Sequence, residues 1–440
     1  MVQRRINSSL VLLLLASALA FLPSLSGVFV YDDFNDIVQN PSAHAETFLA
    51  RLSGTVRPLL KASYALQDAL FGMNAVAFHA VNFALHLLAV LLVFHLIRRF
   101  ALQAGSIPDR AARLALVTTL LWALHPALSD TVSYVSGRSM GLSSVLLVSA
   151  LLATTRDVPR RGLAFVFAVL APLARETALV APLLLLVWQV TLGRHEVWRQ
   201  ALRRALPLWL GAGLAALVLA LMARHRELLA FSVDQRGAMD SLRANVFASL
   251  EILRLWVLPW QITILPRQPV IYGWGDPATL IRLTAITLVP LAALLFRRRA
   301  PLVAFALLWT LVALLPSNSL IWRVDPVALK PLYLAGLGLS LLLAKALVHL
   351  RFGMAIALVL TVGVGTLSFV RAGLYRDEVA LFQDAVRQTP DEPRAQLMLG
   401  LVLANAGRTD EARAALRRAL ALDPFDSEAK NALRLLDAGR

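Results

Sequence analysis

Cysteine is absent from this sequence of 440 residues, and lysine occurs only four times. Without cysteine, the chain forms no disulfide and offers no thiolate for nucleophilic catalysis or metal binding. The sequence also lacks the HExxH zinc motif, the Walker A phosphate loop and the glycine pattern of dinucleotide-binding folds. These absences exclude a disulfide-stabilised fold and an enzyme with a catalytic cysteine. They also give no support to an ATP-hydrolysing activity.

Charged residues are scarce as well, at 16% of the chain, whereas 58% of the residues are hydrophobic. The apolar residues collect in repeated runs of about 17 to 22 residues, which is the length that a helix needs to cross a bilayer. The composition therefore predicts an all-α polytopic membrane protein.

The formal net charge is +16, a value that also occurs in nucleic-acid-binding proteins. From Arg371 to the C-terminus, however, 11 acidic residues balance 11 basic residues, so the whole excess lies in the hydrophobic part of the chain. Arginine and lysine in the loops of a membrane protein set the orientation of its spans. The net charge thus reflects membrane topology, and we expect no nucleic-acid partner.

The alternation of apolar runs and basic clusters predicts eleven membrane spans. Arg4 and Arg5 precede the first run, which we interpret as an uncleaved span rather than a signal peptide because it is long enough to cross. With a cytoplasmic N-terminus, the odd number of crossings places the C-terminal tail outside, in the periplasm of a bacterial inner membrane. The charged apolar segment 245–258 is interpreted as an interfacial or re-entrant helix. The predicted spans are 8–28, 74–97, 112–128, 141–155, 163–174, 177–192, 205–222, 279–296, 301–316, 328–347 and 352–370.

The tail, residues 371–440, differs from the membrane domain, residues 1–370, in composition and in periodicity. Pro390 and Pro424 are 34 residues apart, which is the period of the tetratricopeptide repeat (TPR), and Gly400 occupies a position of that pattern. Such helix pairs form concave surfaces that bind other proteins. We therefore expect a TPR domain that engages a polypeptide partner.

Asp32 and Asp33 follow the first span directly, in the stretch GVFVYDDFNDIVQNPSA. A structural interpretation is that they cap a short external helix or meet lipid headgroups. An adjacent pair of carboxylates at the membrane surface also suits a general base, which would activate a polar acceptor from the aqueous side while a lipid-borne reactant approaches through the bilayer.

Polar and charged residues occur in the loops on the same side of the predicted membrane. Each of them is also explained as a topological charge or a headgroup contact. A lipid-linked phosphate would nevertheless need fixed cations at this level, and charges at the membrane are normally paired or functional. The candidate substrate-binding residues are Arg57, Lys61, His125, Arg138, Arg175, Glu176, Lys330 and Tyr333.

Metal ligands are not apparent. His79 and His86 lie seven residues apart on one face of a predicted helix, with Asn82 between them. Histidines in such a position more often form hydrogen bonds between helices than bind a metal. We assign no metal site and no certain cofactor, and the sequence leaves open whether a divalent metal assists.

Six segments, taken in order, resemble one family. In this order, and followed by TPR helices, they are similar to the transmembrane and TPR-containing O-mannosyltransferases and their bacterial relatives, which belong to the GT-C glycosyltransferase superfamily. The segments are FVYDD, RPLLKASYALQ, FHAVNFALHLL, LHPALSDTVSYVSGRSMGLSSVLLVSALL, LARETALVAPLLLL and LLPSNSLIWRVDPVALKPLYLAGLGL.

The resemblance implies an inverting transferase that moves a sugar, mannose in the named family, from a polyprenyl-phosphate carrier to an acceptor hydroxyl. Asp32 or Asp33 corresponds to the general base of the family, and we prefer Asp32. The eukaryotic members act on protein Ser or Thr, whereas a glycan acceptor stays open for a bacterial relative. Family members commonly carry an acidic-basic pair before the last segment's tyrosine, and here only Lys330 is present.

Two other classes of protein are compatible with the sequence. A non-enzymatic membrane scaffold would use its spans to anchor a TPR module that gathers envelope proteins, and Asp32 and Asp33 would then be ordinary loop charges. A transporter would show internal repeats of spans and carboxylates at the bilayer midplane, whereas the acidic residues here lie near the ends of the spans.

Overall fold

The computed structural model describes residues 2–193, 197–235, 237–318 and 325–438. These residues are mostly helical and contain no β-strand, as the composition predicts. Parts of three predicted features lie outside the described residues: 194–196 in a basic cluster, 236 in an external loop, and 319–324 in the segment before Lys330. The α-helices are α1 (Val2–Phe21), α2 (Phe48–Arg51), α3 (Pro58–Phe71), α4 (Ala75–Gln103), α5 (Pro108–Ala123), α6 (Ser129–Val132), α7 (Arg138–Thr154), α8 (Arg161–Ala174), α9 (Ala181–Thr191), α10 (Trp198–Leu221), α11 (Ala223–Gln235), α12 (Ala238–Val257), α13 (Pro277–Phe296), α14 (Pro301–Leu314), α15 (Leu332–His349), α16 (Gly353–Leu374), α17 (Glu378–Gln388), α18 (Pro393–Asn405), α19 (Thr409–Leu422) and α20 (Ser427–Asp437).

Several of these helices begin where side chains satisfy the first backbone N–H groups. Asn74 accepts a hydrogen bond from the N–H of Ala77 at the start of α4, and Asp276 accepts one from Ala278 at the start of α13. Prolines occupy the first turn of α3, α5, α14 and α18, where a backbone N–H would have no hydrogen-bond partner within the helix. Local capping chemistry therefore fixes many of the helix starts.

The prediction of eleven spans was too high. Seven helices of the described residues are long and apolar enough to cross a membrane, and an eighth results if the bent pair Pro108–Ala123 and Pro126–Val132 is one span. Three other predicted spans are helical but short, since 14 to 16 residues reach only about 21 to 24 Å across a hydrocarbon core of about 30 Å. These shorter helices are Arg161–Ala174, Glu176–Thr191 and Pro301–Leu314.

The span Val135–Thr154 forms the centre of the bundle, and 78% of its most apolar 18-residue stretch is buried. Its main helix, α7, packs against α4 and α8. The span Pro277–Phe296 lies at the periphery, with 11% buried. Close packing of α14 and α15 requires Gly338, because a Cβ there would lie 2.3 Å from the Thr310 Oγ1. Small residues at such contacts allow membrane helices to approach closely.

The segment 245–258 forms the second half of α12, which is not among the helices apolar enough to cross. Arg254 of this helix pairs with Glu251. The segment between the predicted span 205–222 and α12 contains the helix α11. The assignment of α12 to the membrane interface stays a prediction.

The C-terminal helices α17 to α20 form the predicted TPR region. Gly400 in α18 lies against Leu416 in α19, where a Cβ would be 2.7 Å from the leucine Cγ, and Ala412 and Ala419 are fully buried. Gly407 has a φ of +74° in the turn between these helices, a conformation that glycine adopts without strain. The repeat spacing thus predicted the helix pair.

The TPR region does not stand apart from the membrane bundle. Tyr375, Leu381 and Phe382 pack in one apolar cluster with Val30 and Tyr134. Val30 precedes Asp32 by two residues, and Tyr134 belongs to the connection between α6 and α7. The first TPR helix therefore rests on the segment that carries the two aspartates.

Candidate active site

A cavity of about 260 Å³ lies where the segment after α1, the α6–α7 connection, the segment before α15 and the start of α18 meet. Its lining combines carboxylates, cations and phenol groups at the junction of the bundle and the TPR region. Of the predicted site residues, Asp32 and Lys330 line it. The polar lining residues are Tyr31, Asp32, Asp130, Tyr134, Gln268, Asp325, Lys330, Glu392 and Arg394.

Asp32 is half-buried at the edge of this cavity. Its backbone N–H donates to the hydroxyl of Tyr134 at 2.9 Å, which fixes the main chain. Burial raises the pKa of the Asp32 carboxyl above its usual value, and the charge of Lys330 opposes this effect. A carboxylate with a raised pKa is a stronger base than an ordinary aspartate, so Asp32 has the position and basicity that proton abstraction requires.

Asp33 points away from the cavity and is fully buried. Its Oδ1 accepts hydrogen bonds from the N–H of Ser136 at 2.7 Å and from the Ser136 hydroxyl at 2.6 Å, while Oδ2 accepts from the N–H of Val30 at 3.1 Å. Burial raises the pKa of Asp33 to about 7, although these hydrogen bonds oppose the shift. Both carboxylate oxygens are occupied, so Asp33 fixes the α6–α7 connection against the Asp32 segment.

Glycine at position 137 makes this connection possible. A Cβ on Gly137 would lie 2.3 Å from the carbonyl oxygen of Asp130 and 2.6 Å from the Cα of Thr131. The absence of a side chain lets the turn pack directly on the backbone of α6. Ser136 is thereby held within reach of Asp33.

Lys330 lines the same cavity as Asp32 and Asp130. Its Nζ lies 4.7 Å from the ring centroid of Tyr134, as in a cation–π contact. Burial lowers the pKa of Lys330, and Arg175 and Arg57 lower it further, whereas Asp32 and Asp130 oppose the shift. Lys330 thus lies between the cavity carboxylates and a second group of cations.

Arg57 and Arg175 form that second group, and the Glu176 carboxylate pairs with Arg57. Arg57 donates from Nε to both carboxylate oxygens of Glu176, at 3.1 and 3.0 Å, and Arg175 donates to the hydroxyl of Ser139 at 2.8 Å. Arg57 has a φ of 56°, a left-handed conformation that is uncommon for a residue other than glycine. Three loops therefore bring Arg57 and Arg175 within electrostatic range of Lys330, and Glu176 balances the charge of Arg57.

Arg138 and Lys61 do not reach the cavity. The Arg138 guanidinium donates to the Asn82 side chain and to the Phe78 carbonyl, both at 2.9 Å, and lies over the rings of Tyr64 and Phe78. Lys61 is buried and donates to the carbonyl oxygen of Asp36. Both cations join the α3–α4 region to its neighbours, and a substrate contact would require their rearrangement.

His125 and Tyr333 are also packed into the bundle. The His125 ring stacks on Trp256 with centroids 5.0 Å apart, its Nδ1 accepts from the N–H of Ala127, and Nε2 therefore donates to the Trp256 carbonyl at 2.9 Å. The Tyr333 hydroxyl bonds to Nδ1 of His86 at 3.0 Å. The geometry does not bring either predicted residue into the cavity.

Sequence reasoning missed several residues of the site. Asp130 lines the cavity floor, accepts a hydrogen bond from the Tyr375 hydroxyl at 3.1 Å and lies 3.6 Å from an Arg371 nitrogen. It stands inside one of the segments that carry the family resemblance, which was the available signal. Asp325, five residues before Lys330, also lines the cavity and pairs with Arg394 rather than with the lysine.

The part of the chain that the structure describes contains no cluster of potential metal ligands. No group of three or more histidine, aspartate or glutamate side chains there is arranged to hold an ion. Whether a divalent metal assists stays open.

Comparison with known proteins gives two kinds of similarity. A tetratricopeptide repeat family model matches residues 367–427. The chain is also 22% identical over 447 residues to a protein O-mannosyl-transferase of Caenorhabditis elegans, an alignment that covers 94% of this chain and 63% of the relative. It is 24% identical over 505 residues to human protein O-mannosyl-transferase TMTC1, covering 96% of this chain and 56% of the relative.

A shorter alignment reaches a higher identity. The Drosophila melanogaster protein O-mannosyl-transferase Tmtc1 is 33% identical over 191 residues, which cover 38% of this chain and 21% of the relative. The chain thus spans about 60% of the length of the relatives that it matches throughout. No solved structure matches it. The resemblance to TPR-containing O-mannosyltransferases is confirmed at the level of sequence similarity.

Proposed function

We propose that this chain is an inverting GT-C glycosyltransferase, which transfers a sugar from a polyprenyl-phosphate donor to an acceptor hydroxyl. The observation that carries the proposal is the cavity in which the half-buried Asp32 faces Lys330, between the membrane bundle and the TPR region. The names of the relatives support mannose as the sugar and a protein Ser or Thr as the acceptor.

In the proposed reaction, a carboxylate oxygen of Asp32 takes the proton of the acceptor hydroxyl. The hydroxyl oxygen attacks the anomeric carbon, and the bond from that carbon to the phosphate oxygen breaks on the opposite face, which inverts the configuration. The polyprenyl phosphate leaves as an anion. General-base assistance of this kind contributes about 10² to 10⁴ in rate.

Lys330 is proposed to stabilise the departing phosphate. Its ammonium group lines the cavity, and Arg175 and Arg57 lie within electrostatic range of it. Removal of one such group that stabilises charge in a transition state typically costs about 10² to 10³ in rate. Lysine acts as a point charge here rather than as a bidentate fork.

The proposed topology has a cytoplasmic N-terminus, with the cavity and the TPR domain on the periplasmic side of a bacterial inner membrane. Residues 1–370 would supply the lipid-donor site, and residues 371–440 the acceptor-engaging domain. Phe425 is 87% exposed in the TPR domain, and the native chain has no cysteine. A Phe425→Cys variant should therefore react with an impermeant maleimide in intact cells, and labelling only after lysis would reverse the topology.

Transfer assays in membranes test the activity. Membranes that contain the wild-type chain should transfer labelled mannose from polyprenyl-phosphate mannose to Ser/Thr-rich polypeptide, and Asp32→Asn membranes should not. A scaffold predicts the opposite pattern in cells, because Asp32→Asn would keep the wild-type phenotype while deletion of residues 371–440 would abolish it. Full transfer by the Asp32→Asn variant would overturn the proposed mechanism.

A further inference from the structure

The end of α16 and the start of the first TPR helix, α17, are bonded to the backbone that leads into Asp32. The N–H of Val28 donates to the carbonyl of Tyr375 at 3.0 Å, and the N–H of Tyr31 donates to the Glu378 carboxylate at 2.7 Å. The Tyr31 ring packs edge-on against Phe382, with centroids 5.7 Å apart. Two backbone groups of the Asp32 segment thus have their hydrogen-bond partners where α16 leads into the TPR region.

Arg394, in the first turn of α18, makes a second connection. Its Nη1 donates to both carboxylate oxygens of Asp325, at 2.7 and 2.6 Å, and its Nη2 donates to the Tyr31 hydroxyl. Asp325 and Tyr31 belong to the two segments that carry Lys330 and Asp32. One guanidinium group therefore joins the two sides of the cavity to each other and to the TPR region, a geometry that suits the planar fork of arginine.

Tyr31 has a φ of 51°, which is the left-handed conformation. This conformation is unfavourable for tyrosine and persists only where surrounding contacts enforce it. The contacts in question are the hydrogen bond that the Tyr31 N–H donates to Glu378 and the one that the Tyr31 hydroxyl accepts from Arg394. Because Asp32 is the next residue, the backbone of Tyr31 sets the direction in which the Asp32 carboxylate leaves the chain.

We propose that Arg394 and Glu378 are positioning residues for Asp32, so that the TPR helices complete the catalytic site in addition to any role in acceptor recruitment. The inference rests on the function proposed above. It implies that two residues on the TPR side act on the rate of the chemical step, although they lie more than 340 positions from Asp32 in the sequence.

Variants of Glu378 separate positioning from general stability. Glutamine retains an oxygen that accepts from the Tyr31 N–H, so Glu378→Gln should keep kcat near wild type, whereas Glu378→Ala should lower it. A displacement of about 1 Å in a catalytic group costs up to 10²-fold, and we expect a loss of 10- to 100-fold with the donor KM unchanged. Equal activity of the two variants would overturn the positioning role of Glu378.

Variants of Arg394 test its electrostatic effect on Asp32. Arg394 lowers the Asp32 pKa, so Arg394→Gln should move the acidic limb of the pH–rate profile to higher pH, whereas Arg394→Lys should keep the limb and lose part of kcat. Arg413→Gln is the matched control, since Arg413 pairs with Asp410 and Asp437 away from the cavity. The titratable and charged groups around Asp32 are Tyr31, Asp36, Asp130, Tyr134, Asp325, Lys330, Glu392 and Arg394.

Chemical labelling of Asp32 gives a readout that needs no donor. The midpoint pH for carbodiimide modification of Asp32, followed by mass spectrometry of the tryptic peptide that ends at Arg51, should be higher in Arg394→Gln than in wild type and Arg413→Gln. An unchanged midpoint together with an unchanged kcat would overturn the inference and leave the proposed transferase intact. The midpoint could also shift in Arg394→Gln while the wild-type protein shows no transfer activity. This result would support the positioning contact and contradict the proposed function.

Discussion

Asp32 and Asp33 are adjacent in the sequence, yet they belong to two different regions of the molecule. Asp32 borders a polar cavity of about 260 Å³, whereas Asp33 lies in a closed cluster where both of its oxygens accept hydrogen bonds from the protein. The same contrast separates Lys330, which lines the cavity, from Lys61, which is buried and bonded to a carbonyl. The partners of each charged group, rather than its residue type or its place in a motif, thus separate the groups that line the cavity from those that are bonded within the protein.

Loss of the buried carboxylate should have the largest effect on stability. Asp33→Ala would leave the N–H and hydroxyl of Ser136 and the N–H of Val30 without their acceptor, and each unsatisfied buried group costs about 1 to 3 kcal/mol. We expect a loss of at least about 3 kcal/mol in the free energy of unfolding, measured by thermal denaturation in detergent. Asp32→Ala is the control. A similar loss of unfolding free energy in that variant would contradict the structural difference between the two aspartates.

Removal of the cavity cation should act on transfer rather than on folding. Lys330→Met is expected to lower the transfer rate by about 10² to 10³, because the leaving phosphate loses its stabilising charge. Lys430→Met removes a cation from the TPR surface and should leave the rate unchanged. A Lys330→Met enzyme with the wild-type rate would place the phosphate elsewhere, with the Arg57 and Arg175 region as the next candidate.

The pH dependence of stability should report on Asp33. Its folded-state pKa of about 7 lies above the ordinary value of 3.8, so the folded protein keeps a proton that the unfolded chain has lost. The contribution of Asp33 to the free energy of unfolding is therefore fully present below about pH 4 and is lost as the pH rises through about 7. Between these values the free energy of unfolding should fall by up to about 1.4 kcal/mol per pH unit. Asp33→Asn should remove this part of the slope in unfolding measurements between pH 4 and 7, and an unchanged slope would contradict the assigned shift.

An ion pair far from both regions should matter least. Arg413 pairs with Asp437 on the outer TPR helices, where both side chains are partly exposed. Exposed pairs contribute about 0 to 1 kcal/mol, so Arg413→Ala should change the melting temperature slightly and transfer not at all. A large effect on transfer would extend the functional surface of the TPR region beyond α17 and the start of α18.

Local patterns in the sequence predicted a large part of the fold. Apolar runs predicted helices in the bundle, and the 34-residue spacing from Pro390 to Pro424 predicted the TPR pair that the structure forms with α18 and α19. The number of spans was wrong because apolar composition does not reveal helix length, and α8 and α14 have only 14 residues.

The candidate site was predicted less completely, for a physical reason. The position of Asp32 after the first span and the resemblance both pointed to it, whereas Arg394 contacts Tyr31 across 363 positions and carries no local signal. Sequence position also does not reveal whether a polar side chain points into a cavity or packs between helices. His125 and Tyr333 were therefore selected together with Lys330, although they pack against Trp256 and His86.

The most direct test of the central claim is a side-by-side comparison of Asp32→Asn and Asp33→Asn in single-turnover transfer from polyprenyl-phosphate mannose, with donor binding measured separately. We expect Asp32→Asn to bind the donor normally and to lose about 10² to 10⁴ in rate, because the base is gone. Asp33→Asn should lose far less in rate, because asparagine still offers an oxygen to Ser136. Wild-type transfer by Asp32→Asn, or a larger loss in a folded Asp33→Asn protein, would contradict the assignment of Asp32 as the general base.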